Sequence, residues 1–162
     1  MNIKLRAMLP DDWYSVAAIY KDGIDTGIAT FEKTIPLWEN WNKAHIKSCR
    51  IVAEAEDVIA GWAALMPVSG RSVYSGVAEV SVYVSDNYKG QKIGTFLLDA
   101  LIKESEKEGF WTLQASIFRE NPPSLRIHKN LGFREVGFRE RIGKLNGIWR
   151  DTILLERRSK II

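Results

Sequence analysis

A short stretch rich in glycine and lysine joins a predicted strand to a predicted helix. It reads Lys89-Gly90-Gln91-Lys92-Ile93-Gly94-Thr95. Free backbone N–H groups and the helix dipole favour an anion at the start of a helix, and glycines let a ligand approach the backbone closely. The two lysines add positive charge. The stretch therefore suits a pyrophosphate, although an ordinary solvated basic turn would have the same composition.

Two better-known phosphate-binding patterns do not fit this stretch. The Walker spacing G-x-x-x-x-G-K-[ST] is absent, because Gly94 is followed by Thr95 and Phe96. The dinucleotide fingerprint G-x-G-x-x-G is absent as well. Any pyrophosphate site here therefore belongs to neither of these two classes.

Glu79 is a carboxylate within an otherwise apolar strand. Valines alternate with serine and tyrosine through residues 80–84, and this period of two is typical of a strand. A buried carboxylate without a partner is unfavourable, so Glu79 faces either solvent or a cleft. In a cleft it would be a candidate general base.

The surrounding sequence predicts the elements that position these groups. The strand spans residues 77–84, and the following helix carries leucine and isoleucine at helical spacing until Gly109, which suits a left-handed C-terminal cap. Irregular alternation of strands and helices, with hairpins at both ends, predicts an α+β fold with a mixed sheet. Other strands are predicted at 3–7, 50–54, 58–66, 111–118, 133–142 and 148–156, with helices starting near Pro10, Pro36 and Asn121.

Length and composition limit the class of protein. A chain of 162 residues suits one domain, 1–162, and no apolar run approaches the roughly 20 residues of a membrane span. The N-terminal sequence has no signal-peptide pattern, and a lone Cys49 forms no internal disulfide, so we expect a soluble, cytoplasmic protein. The net charge of +3 fits an anionic ligand, and the dispersed lysines and arginines argue against nucleic-acid binding.

The histidines and the cysteine show no metal-ligand spacing. The chain has two histidines and one cysteine, so we expect no metal site. His45 lies on the helix that starts near Pro36, and we interpret it as a surface residue.

Two signatures in order resemble the GNAT superfamily of N-acetyltransferases. Residues 89–94 are similar to its loop [RQ]-x-x-G-x-[GA], with Lys89 in place of Arg or Gln and Lys92 in place of the middle glycine. Residues 121–133 are similar to its second signature, N-x-x-[AS]-x-x-x-[YH]-x-x-x-G-[FY]. Residues 29–32, 61–68, 73–84 and 147–151 look like the phosphinothricin and methionine-sulfone acetyltransferase branch.

The resemblance implies a fold and a co-substrate. The GNAT fold has a central mixed, mostly antiparallel sheet flanked by helices and splayed between its fourth and fifth strands, here 77–84 and 111–118. Acetyl-CoA would lie in that gap, with no metal. Its pyrophosphate would meet residues 89–95, its pantetheine the backbone of Val82, Tyr83 and Val84, and Asn121 would also contact it.

The resemblance also assigns catalytic roles. Glu79 would be the general base, acting directly or through a water. His128 replaces the tyrosine that usually serves as general acid, and a histidine near its ordinary pKa could protonate the leaving thiolate. The alternative for His128 is a packed helix residue whose ring is already hydrogen-bonded.

A small amino acid-like amine is the substrate that the branch implies. Arg71 would bind its carboxylate, although a solvated loop cation is the alternative. Phe31 and Glu32 would form a pocket wall, or else a hydrophobic plug with a solvated carboxylate. The remaining predicted substrate contacts are Ser72, Val73, Tyr74 and Ser81.

The branch also implies a homodimer, with active sites near the interface. Two other functions stay open. One is acetyl transfer to a different amine, such as a polyamine or a protein or peptide amine. The other is a non-catalytic sensor of acyl-CoA.

Overall fold

A seven-stranded mixed sheet forms the centre of the protein. The computed structural model describes residues 1–162, and the strands follow the order β1-β2-β3-β4-β5-β7-β6. All neighbouring strands are antiparallel except the parallel pair β4 and β5. The strands are β1 (Ile3–Ala7), β2 (Ile51–Ala55), β3 (Val58–Pro67), β4 (Val77–Val84), β5 (Thr112–Phe118), β6 (Arg134–Leu145) and β7 (Ile148–Arg158).

Four helices complete the fold, which confirms the predicted α+β GNAT-type architecture. They are α1 (Trp13–Thr26), α2 (Trp38–Ala44), α3 (Ile93–Lys107) and α4 (Pro122–Asn130). Single 3-10 turns occupy Pro10–Asp12, Ser72–Tyr74 and Asp86–Tyr88. Gly109 has a φ of +87° just beyond α3, which confirms the predicted cap. No helix combines the length and the apolar character needed to cross a bilayer.

The two faces of the sheet carry separate hydrophobic clusters. Leu97, Leu98 and Leu101 on α3 are fully buried with residues of β2, β3 and β4 on one face. On the other face, α1 packs with Trp41 of α2 and Trp62 of β3. Because both clusters include residues of β3 and β4, the central strands are held from both sides.

The strands β4 and β5 separate after only three paired positions. The pairs are Val77 with Thr112, Ala78 with Leu113, and Glu79 with Gln114. Beyond Glu79, β4 stays paired with β3, while β5 stays paired with β7 through Phe118. The predicted splay between the fourth and fifth strands is therefore confirmed, and it starts at Glu79.

Candidate active site

A cleft of about 460 Å³ opens where β4 and β5 separate. Its lining contains no arginine or lysine, and its only carboxylates are Glu32 and Glu79. The cleft therefore favours a cationic group such as an ammonium. The other residues that line it come from α1, the segment 29–36, α2, β3, β4, β5, α4 and β7, and they include Tyr20, Phe31, Trp41, His45, Trp62, Ser81, Tyr83, Ser116, Phe118, Asn121 and His128.

Glu79 faces the cleft, so the alternative of a purely solvated strand face does not hold. Two side chains of β5 reach its Oε1: Gln114 Nε2 and Ser116 Oγ each lie 3.3 Å away. The carboxylate is thus held at the point where the strands part. Its position is compatible with a proton-accepting role toward a group bound in the cleft.

On the side of β4 that faces β5, the residues beyond Glu79 pair with no strand. Ser85 N–H donates to Ala60 O at 2.8 Å, and Ala63 is the β3 partner of Val82. Because hydrogen-bonded and non-hydrogen-bonded pairs alternate in an antiparallel ladder, the N–H and C=O groups of Val82 and Val84 point away from β3. They therefore face the gap, where an extended ligand with amide groups can pair with them.

The first turn of α3 presents free donors. The backbone N–H groups of residues 91–95 make no hydrogen bond, and no side chain caps the helix. Gly90 and Lys92 have φ values of +79° and +63°, so the chain turns sharply just before the helix. Lys89 pairs with Asp86 at 2.5 Å, and Gln91 Oε1 is buried without a donor. These free donors fit the anion site predicted from the sequence, and residues 89–95 lie outside the lining of the cleft.

Asn121 caps α4 and also holds a loop. Its Oδ1 accepts from Ser124 N–H at 3.3 Å, and its Nδ2 donates to Ile28 O at 3.3 Å. Both polar ends of the side chain are therefore engaged within the protein. Asn121 still lines the cleft, so it stays a predicted contact of the co-substrate.

The segment 27–32, named here the substrate loop, is held by residues far away in sequence. Arg150 donates to Gly27 O at 2.8 Å, and its guanidinium lies over the Phe118 ring at 4.6 Å. Phe31 meets the same Phe118 ring edge-on at 4.6 Å, and its ring fills the space where Gly143 lacks a side chain. The loop places Phe31 and Glu32 in the cleft lining, as expected of a pocket wall.

His128 lies buried on α4 with its ring edge-on to Phe133. Its Nδ1 lies 2.7 Å from Ser124 O, so Nδ1 carries the proton and Nε2 has the free lone pair. Desolvation lowers the pKa of His128 below its ordinary value. The resting ring is therefore neutral at pH 7, and it can accept a proton at Nε2 before it can donate one.

The interpretation of His45 as a surface residue is wrong. Its side chain is buried, stacks on Trp41 at 4.0 Å and lines the cleft. Nδ1 lies 2.8 Å from Trp41 O, and desolvation lowers the pKa of His45. The short helix α2 packs its C-terminal end inward over β3, which the helical pattern alone did not show. Both histidines of the chain thus lie in one cleft.

The predicted substrate contacts on the turn before β4 lie apart from the predicted residues that line the cleft. Arg71, Ser72, Val73 and Tyr74 are exposed and do not line the cleft of this chain. The Arg71 guanidinium lies 5.6 Å from the Tyr74 ring centre and has no acidic partner. It is therefore free to bind a carboxylate, but outside the lining of this cleft.

Comparison with known proteins identifies the family. A model of the "Acetyltransferase (GNAT) family" matches residues 13–133, which include the cleft-forming strands, α3 and α4. The chain belongs to the GNAT acetyltransferase family. It is therefore an N-acetyltransferase, and acetyl-CoA is its co-substrate.

Several relatives are similar over nearly the whole chain, and two of them illustrate the relationship. The chain is 29% identical over 154 residues to phosphinothricin N-acetyltransferase of Streptomyces viridochromogenes, covering 93% of this chain and 84% of that protein. It is 26% identical over 162 residues to L-methionine sulfoximine/L-methionine sulfone acetyltransferase of Pseudomonas aeruginosa, covering 96% and 94%.

Solved structures agree with this relationship. A GNAT phosphinothricin acetyltransferase from Sinorhizobium meliloti in complex with acetyl-CoA has a TM-score of 0.88 at 28% identity, over 98% of this chain and 89% of that one. A ribosomal-protein-alanine N-acetyltransferase from Brucella melitensis also has a TM-score of 0.88 at 28% identity, over 96% and 99%.

The residues of this GNAT chain fit acetyl-CoA. Free N–H groups at the start of α3 suit its pyrophosphate, and the open edge of β4 suits its amide-bearing arm. The thioester at the end of that arm would then lie near the apex of the gap, close to Glu79. These contacts use backbone groups almost entirely.

Sequence reasoning missed several residues of the site. Gln114 and Ser116 contact Glu79, and Arg150 holds the substrate loop. Trp41 and Trp62 are fully buried in the cleft wall, and their indole N–H groups have no acceptor. Trp62 and Arg150 lie in the stretches 61–68 and 147–151 that resemble the branch, whereas Gln114, Ser116 and Trp41 belong to no motif. Only the register of β5 in the structure places Gln114 opposite Glu79.

Proposed function

We propose that the protein transfers acetyl from acetyl-CoA to the α-amino group of a small amino acid-like substrate, of the phosphinothricin, methionine sulfone or methionine sulfoximine type. Glu79 carries the proposal, because its carboxylate lies at the apex of the gap between β4 and β5, within a cleft that lacks lysine and arginine. The names of the relatives support the substrate class.

The reaction proceeds by direct attack. The substrate ammonium gives a proton to Glu79, directly or through a water, and the freed lone pair attacks the acetyl carbon. The new C–N bond forms as the C–S bond breaks, and the electron pair leaves on sulfur. The nitrogen loses its second proton and the thiolate gains one, so that one proton reaches solvent overall.

The backbone of β4 assists the step. An N–H group of the open edge at Val82 or Val84 polarises the acetyl carbonyl, since such a donor is fixed before the reaction and stabilises the negative charge that develops on oxygen. His128 is our candidate for the thiolate's proton donor. Because its resting ring is neutral, it first takes a proton at Nε2 and then passes it to sulfur.

Arg71 is proposed to bind the substrate carboxylate outside the lining of the cleft. No cation lies in the cleft lining, and the Arg71 guanidinium has no acidic partner. Bidentate recognition of a carboxylate is what a free guanidinium provides. Arg71→Ala should therefore raise KM for an amino acid substrate and leave KM unchanged for the corresponding amino acid amide.

A homodimer is proposed through the β6–β7 hairpin. Strand β6 lies at the edge of the sheet and pairs only with β7, so its other side is free. Its side chains Val136, Phe138 and Ile142 are exposed. Trp149 of β7 adds another exposed apolar side chain. Sedimentation equilibrium of the wild type and of Phe138→Glu tests this, since a dimer through this surface should dissociate in the variant.

A thiol-release assay with acetyl-CoA tests the substrate class. The panel contains phosphinothricin, methionine sulfone, methionine sulfoximine, unmodified amino acids, spermidine and an alanine-initiated peptide. Turnover confined to the amino acid-like amines supports the proposal. Turnover on the peptide alone would favour the second candidate, a protein N-terminal acetyltransferase, to which the similarity to the Brucella melitensis enzyme points. Tight acetyl-CoA binding without any turnover would contradict both.

A further inference from the structure

The carboxylate of Glu79 is held asymmetrically. Gln114 Nε2 and Ser116 Oγ both approach Oε1, each at 3.3 Å. Glu79 Oε2 makes no hydrogen bond, although the residue lines the cleft. One oxygen is thus occupied by two donors while the other is free to meet a ligand.

The two donors lie on β5 at the point where it leaves β4. Gln114 is the last β5 residue paired with β4, opposite Glu79 itself. Ser116 lies two residues further on the same face, so its side chain reaches back across the opening gap. β7 fixes both donors from the other side, through the pairs of Gln114 with Glu156 and Ser116 with Leu154.

We propose that Gln114 and Ser116 are positioning residues that fix the Glu79 carboxylate through Oε1, so that Oε2 is the atom that receives the substrate proton. This inference rests on the proposed role of Glu79 as general base. A free glutamate side chain samples several rotamers, and ordering it at each turnover costs free energy. Hydrogen bonds to an ionised carboxylate remove that cost, because they hold the group in the productive orientation before substrate binds.

Positioning of this kind predicts a particular kinetic pattern. Glu79 acts on the proton during the chemical step, so its misplacement slows acetyl transfer more than it weakens binding. Neither Gln114 nor Ser116 lies in the anion site of residues 89–95 or on the substrate loop. The affinity for acetyl-CoA should therefore change little when either donor is removed.

The experiment compares matched variants in single-turnover acetyl transfer. Ser116→Val and Ser116→Thr have nearly the same shape and both suit a strand, but only Thr keeps the hydroxyl. Gln114→Met removes the amide at similar length. We expect Ser116→Val and Gln114→Met to lose about 3- to 10-fold in rate each, since each loses one hydrogen bond to a charged group. Ser116→Thr should stay within about twofold of wild type.

Three outcomes would overturn the inference. Wild-type rates in Ser116→Val and Gln114→Met would show that the donors are dispensable. Equal losses in Ser116→Val and Ser116→Thr would point to packing rather than to the hydroxyl. A rise in the Kd of acetyl-CoA that accounts for the whole loss would assign these residues to binding.

Glu79→Gln separates this inference from the proposed function. Full activity of Glu79→Gln would show that Glu79 is not the general base, and the positioning role of Gln114 and Ser116 would then be excluded as well. Loss of activity in Glu79→Gln, together with fully active Gln114 and Ser116 variants, would overturn the positioning role alone. In every variant, an unchanged thermal unfolding midpoint shows that the comparison concerns folded protein.

Discussion

The two halves of the site, of which one lies in the cleft and the other extends beyond its lining, are built in different ways. The co-substrate half is one continuous segment, residues 80–95, in which a strand edge and a helix start offer backbone groups to the ligand. The amine half is assembled from side chains of the substrate loop, α2, β5, α4 and β7. A backbone site needs only a local conformation, whereas a side-chain site depends on the packing of elements that are distant in sequence.

This difference has a chemical consequence. The pyrophosphate and amide groups of acetyl-CoA can be bound by backbone groups with few side-chain requirements. The amine is specified by shape and charge, which only side chains supply. Substitutions in the amine half should therefore change substrate choice or the rate of the chemical step. In the co-substrate half, only changes that remove a backbone donor should matter.

The largest expected effect is at Glu79, where the two halves meet. Glu79→Gln keeps the side-chain shape but removes the proton acceptor, so kcat should fall by about 100- to 10,000-fold. The Kd of acetyl-CoA, measured by calorimetry, should stay at the wild-type value because the backbone site is intact. Retained turnover would show that the base is another group or water alone.

The next test addresses the backbone character of the co-substrate half. Thr95 is the third residue of α3, and its N–H group makes no hydrogen bond. Proline is tolerated in the first turn of a helix, so Thr95→Pro removes this donor with little change in structure. KM for acetyl-CoA should rise about 10-fold, since a charge-assisted hydrogen bond is lost.

Thr95→Ala is the matched control for that experiment. It removes the side chain but keeps the N–H group, so KM for acetyl-CoA should stay close to wild type. If Thr95→Ala and Thr95→Pro were impaired equally, the side chain would be the contact, and the proposed contrast between the halves would be wrong.

A smaller effect is expected where β7 supports the amine half. Arg150 bonds Gly27 O and lies 3.3 Å from Glu120, so it ties the substrate loop to the end of β5. Arg150→Lys keeps the charge but loses the planar fork and the stacking on Phe118. KM for the amine should rise about 3- to 10-fold, with KM for acetyl-CoA unchanged. An equal rise in both would show that the loop supports the whole cleft.

The sequence could predict the co-substrate half because its information is local. Period-two valines, Gly90 and Gly94, and the apolar stripe of α3 lie within about 30 residues, and the structure contains the strand, turn and helix that they indicate. The splay of the sheet, in contrast, is predicted only by the family resemblance. Nothing in the composition of β4 or β5 shows that their pairing ends at Glu79 and Gln114.

The amine half could be predicted only in part, for the same physical reason. The resemblance predicts that Phe31 and Glu32 form a pocket wall, but Arg150 is more than 100 residues from the loop it holds. The prediction of His45 at the surface fails because α2 has only seven residues, too few for its buried side to be identified from the pattern. Arg71 lies on an exposed turn, where its role depends on what approaches it from outside.

The smallest expected effect is a pH dependence of stability that arises from the two buried histidines. Desolvation lowers the pKa of both His45 and His128 in the folded protein. Well above pH 6.5, the ordinary pKa of histidine, both are neutral in the folded and unfolded states and contribute no pH dependence. As the pH falls below that value, the unfolded chain binds protons first, so the free energy of unfolding decreases. Asp12, whose pKa is lowered by its hydrogen bonds with Arg6, contributes only at far more acidic pH.

Thermal unfolding at pH 7.5 and pH 5.5 measures this effect. The wild-type Tm should be lower at pH 5.5, and His45→Gln and His128→Gln should each show a smaller difference between the two conditions. His45 directly follows α2 and His128 lies on α4, so the two variants test two different walls of the cleft separately. A pH dependence of stability that persists unchanged in both variants would show that the cleft is hydrated enough to hold the histidines in either charge state. In that case solvent could protonate His128 directly, and the protonated ring could then donate to the thiolate.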